Sequence, residues 1–155
     1  METTDLQHFH CPRYEELPSL ALYMDQVLIL VNEITAPLRG ATDPVCTATM
    51  VNNYVKLKLL EPSEKKKYGR SHVARLLLIT LLKNVLSMSE TARLLTLLGA
   101  QSAPQLVYDR FCEALEGQLR AAFGGAPAEP VGDLLDAAAL ACASKLALQR
   151  LLAEE

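Results

Sequence analysis

The chain has 155 residues, half of them apolar, with 5% aromatic residues, no tryptophan and a formal net charge of −3. That length fits one compact domain or a small domain with helical extensions, and the apolar share excludes a disordered chain. Abundant Leu and Ala without alternating Val, Ile and Thr runs argue against an all-β sandwich and for a mainly α fold.

Residues 1–18 read as a polar N-terminal tail ending at Pro18, without the basic start and apolar run of a signal peptide. From there Leu20, Met24, Val27, Leu28, Val31, Ile34 and Leu38 recur at helical spacing and predict an amphipathic helix over 19–36, stopped by Pro37 and the loop Arg39 to Pro44. A short helix is expected over about 47–57 with Thr47 as N-cap. Pro62 and the polar run Ser63 to Lys67 exclude a helix interior and predict a small hairpin or extended loop over about 59–69. Ser71 then caps a very apolar helix through about Leu86, the expected central helix.

Ser87-Met88-Ser89-Glu90 has the form of a capping box, opening a helix that closes at Gly99. Ser102-Ala103-Pro104-Gln105 has the same form, with proline in the first turn. That helix should run to Gly124-Gly125 with Val107, Phe111, Leu115 and Leu119 on one face. Beyond the Pro127/Pro130 linker, Val131 to Ala153 makes a last Ala/Leu-rich helix. The expectation is thus six helices and one small β element. It divides as a tail (1–18), a central domain (19–99) and a C-terminal helical pair (100–155) for packing or dimerisation.

The most apolar window, Leu76 to Leu82, is flanked by Arg75 and Lys83 and is too short to span a bilayer, so a soluble, cytoplasmic protein without membrane association is expected. Cys11, Cys46, Cys112 and Cys142 show no CxxC pair and read as reduced, mostly buried thiols, with Cys112 and Cys142 able to face each other if the last two helices pair. His8, His10 and Cys11 are close in sequence but lack a nearby fourth metal ligand. His72, in the first turn of its helix, fits a neutral hydrogen-bonding role. No nucleophile with a base, no paired carboxylates and no Gly-rich phosphate loop stand out. No enzyme, cofactor or metal is therefore expected.

Charge is unevenly spread. Between Thr49 and Arg93 nine basic residues face three acids, a local charge of +6, which leaves −9 for the remainder. On the helix over 47–57, Met50, Tyr54 and Leu57 form the expected core face, and Thr49, Asn52, Asn53 and Lys56 the opposite stripe. An amide-rich stripe ending in lysine has the chemistry of a helix that reads a major groove: Asn pairs with adenine, and Thr bonds a base or touches the thymine methyl.

The string MVNNYVKLKLLEPSEKKKYGRSHVARLLLI resembles the DNA-binding domain of MerR-type transcription regulators. Tyr54, Lys56, Leu59, Leu60 and Pro62 match its recognition helix and the entry to its wing; Lys66, Tyr68, His72, Val73 and Leu76 match the wing and the helix after it. SMSETARLL is similar to the capped helix that follows there. LYMDQV, TMVNNYVKLKLL and KKKYGRSH together look like a bacterial domain family of unknown function, itself considered MerR-like, over about Leu17 to Leu98. Lys58 stands where MerR-type wings usually have glycine, and Asn52 where their recognition helix has arginine.

The resemblance implies a winged helix-turn-helix with a small β wing and additional C-terminal helices. Duplex DNA would be read by Thr49, Asn52, Asn53 and Lys56, and its phosphates held by Lys65, Lys66, Lys67 and Arg70. A transcriptional regulator is the leading expectation, with a homodimer formed through the C-terminal helices. The other is a helical protein–protein interaction module that keeps the fold and binds no DNA.

Overall fold

The computed structural model describes residues 5–40 and 42–154. Its elements are β1 (Leu22–Tyr23), α1 (Met24–Thr35), α2 (Ala48–Lys56), β2 (Lys67–Tyr68), α3 (Arg70–Leu82), α4 (Met88–Gly99), α5 (Pro104–Gly124) and α6 (Leu134–Ala153). Six α-helices and one two-stranded sheet therefore lie among the described residues.

α3 is the centre. Every residue from Val73 to Leu82 except Arg75 is buried, as expected of a helix apolar on most sides, and α1, α5, α6 and β2 pack around it. The helix ends at Leu82, one turn before the expected Leu86, and a turn from Lys83 to Leu86 leads into the Ser87 cap. There Ser87 Oγ accepts from Glu90 N–H at 3.1 Å and Glu90 Oε1 accepts from Ser87 N–H at 2.9 Å, so the capping box forms as its sequence predicts. The second expected box does not form. Ala103, with no side chain to accept, is the N-cap of α5, and Pro104 at the first helical position starts the helix by its fixed φ. α5 closes at Gly125, whose φ of +72° is the left-handed conformation that glycine adopts without steric cost.

The helix expected over 19–36 begins only at Met24. Leu22–Tyr23 instead pair antiparallel with Tyr68–Lys67, and Leu20 is 79% exposed. Gln26 Oε1 accepts the Tyr23 N–H at 2.9 Å, capping α1 immediately after the strand pair. Val27, Val31 and Thr35 form its buried stripe.

The polar tail is also corrected. Residues 5–17 form a strap laid along α5, with Leu6, Cys11 and Leu17 in the core. Its polar groups find partners on α5. Tyr108 donates to the Pro12 carbonyl at 2.6 Å and Cys11 Sγ donates to Cys112 Sγ at 2.9 Å. Arg13 meets Glu116 through two nitrogens, at 2.8 and 2.9 Å, and Glu116 also accepts from the Cys11 N–H. Burial alone would raise the Glu116 carboxyl, but the Arg13 guanidinium and that N–H outweigh it and hold it below its ordinary value. The contact with Cys112, then burial, pushes the Cys11 thiol up, so the strap sulfur packs as a small hydrophobe. Cys142 does not face Cys112; it lies against the Leu81 carbonyl. His8 turns to Asp5, His10 to Glu16 and Glu116, and Cys11 inward, so these three do not converge.

α6 packs along α5 and covers the protomer's own core. Leu135, Ala138, Ala139 and Leu146, on a helix expected to supply a subunit interface, are buried within this chain, and Cys142 is half-buried against it. Only the outer face, Leu134, Leu140, Leu148, Leu151 and Leu152, remains exposed. No helix among the described residues is long and apolar enough to cross a membrane.

Candidate nucleic-acid interface

α2 is a short helix held at both ends. At its start Thr47 Oγ1 accepts from Met50 N–H at 3.3 Å, the expected N-cap. Ahead of that, the Asn32 side chain of α1 pairs with Cys46 like a strand neighbour, accepting its N–H at 2.8 Å and donating to its carbonyl at 3.0 Å. At its end Leu59 N–H reaches the Tyr54 carbonyl at 2.9 Å and Lys58 N–H the Val55 carbonyl at 3.0 Å. Those two bonds are a Schellman closure, with buried Leu59 and Tyr54 as its apolar contact. The closure needs a left-handed residue at Lys58, whose φ is +61°. Lysine holds here a conformation that glycine usually supplies.

The inner face of α2 is rotated by one residue from its expected setting. Val51 and Tyr54 are buried, Met50 is half-buried and Leu57 exposed. Burial, and the neighbouring Cys46, push the Tyr54 phenol up to about 12. The rotation leaves the stripe intact: Thr49, Asn52, Asn53 and Lys56 are all exposed.

The connector after α2 is tied down on α3. Arg75 Nε donates to the Leu59 carbonyl at 2.9 Å. His72 accepts the Gly69 N–H on Nδ1 at 3.0 Å and donates from Nε2 to the Pro62 carbonyl at 3.1 Å, which fixes one neutral tautomer and fulfils the role expected of it. Beyond Pro62 the chain makes a tight turn in which Glu64 and Lys67 exchange both backbone hydrogen bonds, at 3.0 and 2.9 Å. Its central residues, Lys65 and Lys66, have φ of +51° and +64°, the signature of a type I′ turn, where glycine and asparagine are favoured. Both side chains are exposed. Lys67 opens β2, also exposed, with its ammonium 5.2 Å from the Tyr23 ring centre.

Arg70 departs from its expected place at the phosphates. Its guanidinium turns to the strap, donating to the Leu17 carbonyl and to Glu15 at 3.2 Å each and stacking on Tyr14. Lys58 takes its place among the candidates. Sequence reasoning treated it only as a missing glycine, yet it is exposed between the stripe and the turn. Thr49, Asn52, Asn53, Lys56, Lys58, Lys65, Lys66 and Lys67 thus form two exposed groups joined by one pinned connector. Hydroxyl and amide side chains able to hydrogen-bond stand on the helix, and lysine point charges on the turn.

The family model described as domain of unknown function (DUF1836) matches residues 12–111. The match starts inside the strap and ends inside α5, so it takes in both partners of the Tyr108–Pro12 hydrogen bond. No curated protein and no solved structure matches the chain.

Proposed function

The chain belongs to the DUF1836 family, a domain family of unknown function, and on the geometry of its α2–β2 segment we propose that it binds duplex DNA as a winged helix-turn-helix regulator. α2 is the recognition helix and the Glu64–Lys67 turn the wing. Thr49, Asn52 and Asn53 read base edges, and Lys56, Lys58, Lys65, Lys66 and Lys67 hold phosphates. The observation that carries this reading is backbone strain. Among the described residues, the non-glycine positions with positive φ are three lysines, Lys58, Lys65 and Lys66, all within this exposed basic segment. Left-handed backbone costs an ordinary residue roughly 1–2 kcal/mol, so lysine in place of glycine at three such positions favours charge over stability.

The test is retardation of random-sequence duplex DNA at low salt, followed by selection of bound sites. If the five lysines all meet phosphates, log K against log salt should slope at about −4.5. Absence of retardation at low salt would refute the proposal.

The exposed leucines of α6 favour a second statement, that two copies pair through this outer face and so place two recognition helices on a two-fold site. Light scattering on the full chain tests it. A monomer at tens of micromolar, on the order of the concentration that fills a weak interface, rejects it.

A further inference from the structure

A cavity of about 400 Å³ opens between the α2–β2 connector, the first turn of α3, the last turn of α4 and Pro104 at the head of α5. A smaller recess of about 50 Å³ continues inward toward Tyr108 and shares Ser71, Arg75, Leu95, Gly99 and Pro104 with it. Leu59, Leu60 and Leu95 give the cavity an apolar wall. Its polar side is Arg75 with Ser71, His72 and Thr96, and exposed Lys58 and Glu61 also line it.

Arg75 is the informative residue. Its Nε is used by the Leu59 carbonyl, but its two terminal nitrogens have no acceptor, and it makes no ion pair among the described residues. Burial lowers its pKa, with Glu61 of the same cavity acting the other way, so a charge held partly out of water has no counterion in hydrogen-bond contact. A guanidinium with two nitrogens on one open edge matches the two oxygens of a carboxylate. Arg75 and Lys58 against Glu61 leave a net charge of +1, which suits a monoanion better than a phosphate of higher charge. The volume and the leucine wall suit an apolar body attached to that anion.

We propose that this cavity binds a small amphipathic carboxylate, with its apolar body against Leu59, Leu60 and Leu95 and its carboxylate on the open edge of Arg75. The site does not depend on the nucleic-acid reading, and its test contains no DNA.

The full chain is titrated calorimetrically with octanoate and with 2-naphthoate, alongside the uncharged octanamide and 2-naphthamide. One carboxylate should bind per chain, at least about tenfold more tightly than its amide, a difference of about 1.4 kcal/mol. Two substitutions locate the binding. A Cβ added at Gly99, which lines the cavity, meets nothing within 4 Å, so Gly99→Leu adds bulk at the wall without a Cβ clash and should weaken binding at least about tenfold while the melting temperature holds or rises. Arg75→Gln should bring the carboxylate down to the affinity of the amide. Because Arg75 also holds the Leu59 carbonyl, circular dichroism accompanies that variant, and Gly99→Leu decides the matter if it unfolds. No saturable carboxylate binding up to about 10 mM, equal affinity for amide and carboxylate, or unchanged binding by Gly99→Leu would each overturn the proposal.

Discussion

Replacing Lys65-Lys66 at the turn by Asn-Gly should make the protein more stable and a weaker DNA binder at once. The two lysines hold φ of +51° and +64°. Each left-handed non-glycine residue costs roughly 1–2 kcal/mol, and asparagine and glycine relieve most of that. Glycine gives back about 0.5–1 kcal/mol through the greater freedom of the unfolded chain. The net gain is about 1–3 kcal/mol, or roughly 2–12 °C in melting temperature for a chain of this length. In urea the midpoint should rise with the slope unchanged. The same change removes two phosphate contacts, so the log K–log salt slope should shrink by about 1.8. Lys65→Ala/Lys66→Ala is the control, since it removes the same charges and keeps the strained backbone. It should lose affinity equally without gaining stability. Equal melting temperatures for the Asn-Gly and Ala-Ala proteins would refute the strain argument, whatever happened to binding.

Asn53→Ala should cost roughly 1–3 kcal/mol on a selected site and little on random DNA, read by competition binding; an equal loss on both would make Asn53 a positioning residue only. Tyr54→Ala opens a cavity under the recognition helix and should lower stability by about 3–5 kcal/mol in urea titration. Tyr54 also sets an alkaline limit: the folded chain keeps a phenol proton that the unfolded chain releases near pH 10, so stability is whole below pH 10 and falls as pH climbs toward about 12. At the acid end Glu116 acts in the opposite sense. Its folded carboxyl lies below the ordinary 4.5, so the strap's contribution is present at neutral pH and lost as pH falls past that value. Glu116→Gln should reproduce the loss at pH 7 by about 1.5–3 kcal/mol, with trypsin cutting after Arg13 as the readout.

What the sequence discloses is what neighbours along the chain decide. The Thr47 cap, the Ser87–Glu90 box, Pro104 and the Gly125 terminus are local, and each stands where the residue types place it. The exposed stripe on α2 survives a one-residue error in the buried face, because Thr49, Asn52, Asn53 and Lys56 stay outside under either setting. The strap was illegible for the opposite reason: Leu6, Cys11 and Leu17 follow no helical or strand period, and their burial is set by α5, about a hundred residues later. β1 was hidden because Leu20 and Met24 on either side of it fit the α1 pattern, while the pairing of Leu22–Tyr23 with Lys67–Tyr68 is not local. The contacts of Arg70 were illegible because only the folded strap offers it Glu15, Leu17 and Tyr14.

The strap gives the protein a particular order of assembly during synthesis. Cys11 and Arg13 emerge first from the ribosome, yet Cys112 and Glu116, which receive them, are translated about a hundred residues afterwards. At roughly 5–20 residues per second, the first segment waits on the order of 5–20 s with Leu6, Cys11 and Leu17 uncovered. α1, α2 and α3 are complete in that interval, so the strap closes over a helical core that has already formed. Nascent chains stalled before residue 100 should therefore be cut readily at Arg13, and chains stalled well beyond Gly125 should resist.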